Sequence, residues 1–301
     1  MNMARYMPKK HYYLLETFEP TLAFGLLAAL LGVAAAWHFG SLKPFSAMLA
    51  VIGIILAQIA VNLIDDYVDY TSGLDKETKK TKFSGGSALL GKGKAEPRIV
   101  LALGLFAFIV AAVVGIWLVA GNLALLPIFA VGAVAVLLYA RYLTKIPFLS
   151  EPLMALSFGL IAIGSFIASG GSLGMAWLFA LPALASGIQV GEAGTANSVP
   201  DRKADGKHGR RNVVVMLKSN RKTALFYLGL YTAALFCVVS GVMLKAIPYY
   251  ALAVFLTVPA MAAAACGISK YNGNTERYEK VMALATMAEF TFMLILVLAF
   301  L

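Results

Sequence analysis

The sequence is poor in charge, in cysteine and in histidine. Only 13% of its 301 residues are Asp, Glu, Lys or Arg, whereas 60% are apolar. So few polar side chains cannot cover the surface of a water-soluble fold, and most of the outer surface must therefore face lipid. The cysteines, Cys237 and Cys266, lie inside apolar runs and indicate neither a disulfide framework nor a thiolate metal site. The histidines, His11, His38 and His208, are scattered and predict no zinc site.

The apolar residues form runs that are long enough to cross a membrane. A transmembrane helix needs about 20 apolar residues, and nine such runs lie between charged segments. Continuous apolar runs exclude a transmembrane barrel, whose strands alternate between apolar and polar positions. We therefore expect an all-α protein, a polytopic membrane helical bundle of nine transmembrane helices that forms one domain over residues 1–301. The predicted spans are 21–39, 45–64, 99–119, 122–140, 152–169, 174–193, 223–243, 247–267 and 281–301.

The basic residues predict the orientation of this bundle. With the N-terminus in the cytoplasm, every Lys and Arg except Lys43 and Lys245 falls in an inner segment, as the positive-inside rule requires. The positive-inside rule therefore explains the net charge of +10, and we expect no nucleic-acid partner. The first apolar run lacks a clear cleavage site, so we expect it to be retained as a span. The sequence predicts an integral, multi-pass protein of the cell (cytoplasmic) membrane.

Carboxylates are concentrated at the end of the second predicted span. If the helix continues there, Asn62, Asp65, Asp66 and Asp69 lie within about 100° of arc, so one helix face carries three carboxylates. Like charges this close repel unless a cation lies among them. Negative charge at a helix C-terminus also opposes the helix dipole. The alternative is a solvated, acid-rich helix end. The repulsion between the carboxylates and their unfavourable interaction with the helix dipole both favour a binding site instead.

A second polar cluster follows the sixth span, at the same predicted membrane face. Asn197, Asp201 and Asp205 are spaced by four residues and lie along one side of a helix. Oxygen-only side chains favour Mg²⁺, which typically links one or two carboxylates to phosphate oxygens. Basic residues just beyond the acids would neutralise the remaining charge of a diphosphate: Lys145, Lys207, Arg210 and Arg211. The pattern therefore favours an amphiphilic diphosphate whose head lies at the metals and whose tail lies among the helices.

Together the two motifs resemble those of the UbiA superfamily of intramembrane prenyltransferases, and the resemblance covers nearly the whole chain. The first motif, 62–75, includes Gly73 and Asp75 and looks most like the branch of 1,4-dihydroxy-2-naphthoate (menaquinone and vitamin K) prenyltransferases. The second motif, 197–211, is similar to the family pattern NxxxDxxxD followed by Gly209 and a basic residue. The resemblance implies a cytoplasmic-side active-site cleft that is covered by cap loops.

The resemblance also implies an activity, Mg²⁺-dependent transfer of a prenyl group from a polyprenyl diphosphate to a lipophilic or aromatic acceptor through an allylic carbocation. The implied acceptor is a naphthoate-type quinone precursor. Two Mg²⁺ ions would be held by Asp66 and Asp69 on one side and by Asp201 and Asp205 on the other. The implied substrate-binding residues are Asn62, Asn197, Lys82, Lys207 and Arg210. The implied catalytic residues add Tyr139 and Lys145, which are alternatively an interfacial aromatic residue and an inside anchor.

Other functions stay open at this point. Within the same family, the acceptor could be geranylgeranylglyceryl phosphate, 4-hydroxybenzoate, chlorophyllide or haem. A cation-coupled membrane transporter also places carboxylates between spans, but usually near the bilayer midplane in broken helices, whereas these acids lie at span ends. Beyond the two substrates and membrane lipid, no obligate protein partner is expected.

Overall fold

The computed structural model describes residues 20–78, 81, 83, 90 and 95–301, which are helical and contain no β-strand. The predicted substrate-binding residue Lys82 lies outside the described residues. Short 3₁₀ segments cover Leu123–Leu125, Leu143–Lys145 and Tyr249–Thr257. The helices are α1 Pro20–His38, α2 Pro44–Ser72, α3 Leu74–Glu77, α4 Pro97–Gly121, α5 Leu126–Leu138, α6 Ser150–Ala168, α7 Leu173–Ser198, α8 Arg202–Lys207, α9 Val213–Leu217, α10 Asn220–Met243, α11 Val258–Ser269 and α12 Thr275–Ala299.

The predicted fold class, an all-α membrane bundle, is confirmed. In the described ranges, eight helical segments are long and apolar enough to cross a membrane, and one of them joins the 3₁₀ segment at Tyr249 to α11. The predicted span 122–140 corresponds to a shorter apolar helix, Leu123–Leu138. It is short because a 3₁₀ segment comes first, Pro127 lies in the first turn of α5, and the chain turns again after Tyr139.

Two helix pairs in the middle of the bundle approach each other closely because one partner carries glycine. A Cβ atom on Gly187 of α7 would overlap the Ala155 carbonyl of α6, and one on Gly32 of α1 would overlap the Ala162 carbonyl. Small residues at such crossings let membrane helices pack backbone to backbone. The α6 helix therefore lies between α1 and α7, while α2 packs on α1 and α4, and α12 packs on α7 and α1.

The helices that carry the two acidic motifs end in turns that the sequence encodes. The α2 helix ends at Gly73, whose φ of 83° is accessible to glycine without the steric cost that other residues meet. The α7 helix ends at Ser198, and a turn leads into α8. The first motif's Asn62 and aspartates up to Asp69 thus lie on α2 itself. The second motif spans the turn, so Asn197, Asp201 and Asp205 do not lie along one continuous helix as predicted. The polar side chains of both motifs nevertheless border the same cavity.

The close crossing of α6 and α7 generates a prediction. Replacing Gly187→Val should lower the thermal midpoint of the detergent-solubilised protein, because the added side chain must push the helices apart; overpacking of this kind typically costs about 1–3 kcal/mol. The matched control is Gly229→Val, since a Cβ at that exposed helical position meets no atom within 4 Å. Equal midpoints for the two variants would contradict the close crossing.

Candidate active site

A cavity of about 650 Å³ lies between α2, α4, α5 and α6 and reaches the ends of α2 and α7. Its volume is in the range of a small-molecule site. Apolar side chains line most of its length, and polar side chains are concentrated at one end. The polar end contains both predicted motifs: Asn62, Asp65, Asp66, Asp69, Asp75, Asn197, Asp201, Asp205 and Arg210. Residues that are far apart in sequence thus share one wall.

Arg210 bridges the two motifs. One guanidinium nitrogen donates to both carboxylate oxygens of Asp69 at 2.6 Å. The other lies 3.8 Å from a carboxylate oxygen of Asp205, and the guanidinium is 3.9 Å from Asp65. Although burial works in the opposite direction, these carboxylates raise the pKa of Arg210, so the guanidinium stays charged. A fixed positive charge therefore joins the end of α2 to α8.

Asp205 is held in place by a second contact. The Asn212 amide donates to its carboxylate at 2.8 Å, and the Asn212 carbonyl oxygen caps α9 by accepting from the Val215 backbone N–H at 2.9 Å. Burial raises the pKa of Asp205, while Arg210 and Asn212 oppose this rise by stabilising the ionised form. The carboxylate is therefore fixed by an amide and faces a cation.

The two asparagines present polar atoms at the cavity. The Thr21 hydroxyl donates to the Asn62 carbonyl oxygen at 3.1 Å, which orients the amide nitrogen of that side chain. This nitrogen and the Asn197 carbonyl oxygen are enclosed and make no hydrogen bond within the described part of the chain. Each buried amide thus retains hydrogen-bonding capacity for a ligand in the cavity.

The remaining predicted site residues occupy different surroundings. Tyr139 lines the cavity and is half-buried. Lys145 is exposed and is not part of the cavity wall. Lys207 points away from the cavity, and its ammonium pairs with Glu77 at 2.6 Å. The structure thus brings Tyr139 to the two motifs but leaves both lysines at the surface.

The polar end of the cavity fits divalent cations that are shared with a ligand. In the described ranges, no three His, Cys, Asp or Glu side chains converge closely enough to hold one metal ion by themselves. Mg²⁺ usually takes only one or two carboxylates and completes its shell with phosphate oxygens and water. Carboxylates from two distant motifs at the same end of the cavity, with amide groups beside them, match this requirement. Asp66 and Asp69 would supply one side, and Asp201 and Asp205 the other.

Sequence reasoning missed three polar residues near this cavity. Glu151 and Ser150 begin α6 and are buried beside it, and Asn212 orients Asp205. An acid at the start of a span is an ordinary feature of an inner loop, so Glu151 carried no signal of its own. Its burial arises from the contact between the start of α6 and the segment after α8, which only the tertiary structure reveals.

The bridge formed by Arg210 generates a second prediction. Arg210→Ala should lower the thermal midpoint measured without divalent cations, because it leaves buried carboxylates uncompensated. Added Mg²⁺ should restore more of the midpoint in this variant than in the wild type, since the ion replaces the lost charge. The comparison is Arg211→Ala, whose side chain is exposed. Indistinguishable midpoints and Mg²⁺ responses for the two variants would refute the bridging role.

Comparisons with known proteins identify the family of the chain and its fold. A sequence model of the UbiA prenyltransferase family matches residues 25–297. No curated protein sequence matches the chain significantly. Among solved structures, the apo form of a UbiA homolog from Aeropyrum pernix K1 is similar, with a TM-score of 0.67 and 18% identity over 96% of this chain and 96% of that one.

Two further structures share the fold. A digeranylgeranylglyceryl phosphate synthase has a TM-score of 0.66 and 16% identity, and the match covers 98% of this chain and 99% of that one. A UbiA homolog from Archaeoglobus fulgidus, which was solved with DMAPP and Mg²⁺, has a TM-score of 0.57 and 15% identity over 93% and 98% of the two chains. At these identities the similarity establishes the fold.

Proposed function

Because the chain belongs to the UbiA prenyltransferase family, we propose that it transfers a prenyl group from a polyprenyl diphosphate to an aromatic acceptor in a Mg²⁺-dependent reaction. One observation carries the proposal: aspartates from two distant motifs border the polar end of a cavity that is otherwise apolar. A prenyl diphosphate requires such a cavity, with a polar end for its diphosphate head and an apolar part for its hydrocarbon tail. The UbiA homolog from Archaeoglobus fulgidus that binds DMAPP and Mg²⁺ supports the same reaction class.

The diphosphate would lie between the two motifs. Asp66 and Asp69 would bind metal from α2, and Asp201 and Asp205 would bind it from the second motif. Bound Mg²⁺ neutralises charge on the departing diphosphate and so favours breaking of the allylic carbon–oxygen bond. Arg210 is already held between the motifs and would balance the remaining negative charge. The amides of Asn62 and Asn197 would orient diphosphate or ligand oxygens.

The apolar part of the cavity would hold the tail and exclude water. From Asp66 to Ala50, both on the cavity wall, α2 extends about 24 Å at its regular rise, which is long enough for several isoprene units. Aromatic side chains, including Phe158 and the Tyr139 ring, also border the cavity. Aromatic faces stabilise nearby positive charge, and a dry wall protects an allylic cation from hydrolysis.

The acceptor proposed here is a naphthoate-type quinone precursor. This assignment rests on the first motif, 62–75, which resembles that of the 1,4-dihydroxy-2-naphthoate prenyltransferases. A second candidate is a glycerol ether phosphate, which is favoured by the similar fold of the digeranylgeranylglyceryl phosphate synthase. Incubation of the purified protein with each acceptor and a series of prenyl diphosphates, with mass-spectrometric detection of products, separates the two candidates.

The protein is an integral, multi-pass membrane protein, and we propose nine spans with a cytoplasmic N-terminus. The ninth span in this count is the short apolar helix Leu123–Leu138. The distribution of Lys and Arg supports this orientation. In this orientation both acidic motifs, and with them the active site, would lie at the cytoplasmic face of the cell membrane. Lys145 and Lys207 would then act at the mouth of the site, on incoming substrate.

The metal-binding role generates a third prediction. Asp66→Ala and Asp201→Ala should each reduce prenyl transfer by at least about 100-fold, because each removes a carboxylate from one side of the diphosphate. Both variants should remain folded, as judged by size-exclusion chromatography in detergent. Glu96→Ala is the matched control, since this exposed acid lies outside the cavity wall. Undiminished turnover in either aspartate variant would contradict the assignment.

The proposed place of the tail generates a fourth prediction. Gly132 lies on the face of α5 that carries Ala135, Val136 and Tyr139 to the cavity, and a Cβ there meets no atom within 4 Å. Gly132→Leu should therefore fill cavity space and shift the preferred prenyl diphosphate to a shorter chain. Gly229→Leu, at a similarly open position outside the cavity, should leave chain-length preference unchanged. An unchanged preference in Gly132→Leu would exclude this tail position.

A further inference from the structure

A small polar pocket adjoins the cavity at its polar end. Its volume is about 40 Å³, which is enough for one small polar group but not for an aromatic ring. Met154, Gly194 and Ser198 belong to the walls of both the pocket and the cavity, as do Tyr139 and Arg210. The pocket is therefore a side chamber beside the proposed position of the diphosphate.

The side chamber is built by two segments that are tied together through their backbones. The Arg211 N–H donates to the Thr144 carbonyl at 2.8 Å, and the Phe148 N–H donates to the Arg211 carbonyl at 3.0 Å. These bonds hold the start of α6 against the segment that follows α8. The backbone of the chamber wall is thus fixed by hydrogen bonds.

Glu151 provides an acceptor in this wall. Its side chain is 2% exposed, and both of its oxygens accept from the Val213 backbone N–H, at 3.1 and 3.0 Å. The backbone N–H of Glu151 itself also interacts with the carboxylate. A carboxylate has about four lone-pair positions. Two N–H donors do not use them all, so Glu151 retains capacity to accept another hydrogen bond inside the chamber.

Ser150 adds a second polar group without a partner. It is 5% exposed, and its hydroxyl makes no hydrogen bond within the described part of the chain. The aliphatic hydroxyls of Thr144 and Ser198 in the same chamber are engaged, since Thr144 donates to the Ala140 carbonyl and Ser198 donates to the Gly194 carbonyl. A buried hydroxyl with no partner is costly, so a ligand that bonds to Ser150 gains from satisfying it.

We propose that the side chamber receives a hydroxyl group of the prenyl acceptor and that Glu151 accepts its proton. The inference rests on the proposed function, because it places the acceptor beside the prenyl diphosphate. The carboxylate favours a neutral donor over a second anion, and the chamber is too small for more than the hydroxyl. The acceptor body, either an aromatic ring or a glycerol chain, lies in the main cavity near Tyr139 and Met154.

The proton transfer balances the overall reaction. The allylic carbon–oxygen bond of the prenyl diphosphate breaks, and diphosphate leaves with the electron pair. The acceptor O–H proton passes to the Glu151 carboxylate, and the electrons released make the ring carbon or the alcohol oxygen a better nucleophile. That atom forms the new bond to the allylic carbon. With an alcohol this gives the ether, and Glu151 later releases its proton to solvent. With an aromatic ring, the proton of the substituted carbon then passes to the released diphosphate, the electrons of that carbon–hydrogen bond restore the ring, and Glu151 returns its proton to the ring oxygen. The proton transfer requires only a hydroxyl group on the acceptor, and phenolic and glycerol acceptors both carry one.

The test uses Glu151→Gln in the full chain. The glutamine carbonyl oxygen still accepts a hydrogen bond from the Val213 backbone N–H, so the chamber wall is preserved. The glutamine amide, however, cannot take up a proton as the carboxylate does. Transfer should fall by about 100-fold, which is typical for loss of a general base, while Mg²⁺-dependent binding of the prenyl diphosphate stays within twofold. Glu96→Gln is the matched control at an exposed acid, and Ser150→Ala should raise the KM of the acceptor alone.

The acceptor series supplies the second arm of the experiment. Wild-type protein is given a hydroxynaphthoate, a glycerol ether alcohol, and the O-methyl ether of each. Loss of turnover with the ethers supports the proposal, and the hydroxyl compound that reacts identifies the acceptor class. Full transfer by Glu151→Gln, or equal turnover of hydroxyl and ether compounds by the wild type, overturns it. If the proposed function itself is wrong, the result is different from these two outcomes, because the wild type would then neither bind nor consume any prenyl diphosphate.

Discussion

The arrangement depends on how charge is balanced where two acidic motifs meet beside an apolar cavity. Aspartates from the end of α2 and from the segment after α7 cannot share one buried wall unless positive charge lies among them. Arg210 supplies that charge through its contacts with Asp69 and Asp205. The same requirement makes the site receptive to divalent cations, since these bring further positive charge between the same carboxylates.

The helix ends are held in position by ordinary packing and capping. Glycines let α1, α6 and α7 pack backbone to backbone, so the polar ends of α2 and α7 border a common space. Asn212 joins the cap of α9 to the Asp205 carboxylate, and Glu151 holds the neighbouring backbone N–H of Val213. The wall of the site is thus continuous with the core, and contacts within the protein hold the carboxylates of Asp69 and Asp205.

Much of this could be predicted from the sequence because its signals are local and strong. Apolar runs required a helical membrane bundle, and the two aspartate motifs identified the family. Other features depend on tertiary contacts. Lys207 precedes Arg210 by three residues, yet it pairs with Glu77 at the surface, whereas Arg210 lies between the motifs. Glu151 looked like an inner-loop acid, and only its contact with Val213 shows that it borders the site.

The central claim is that the two motifs hold divalent cations around one diphosphate. The most direct measurement is anomalous X-ray diffraction from crystals grown with Mn²⁺ and an unreactive prenyl thiolodiphosphate. The account predicts Mn²⁺ peaks between the Asp66 and Asp69 pair and the Asp201 and Asp205 pair, with the prenyl tail extending along α2 toward Ala50. Manganese peaks elsewhere, or a diphosphate bound away from both motifs, would contradict it.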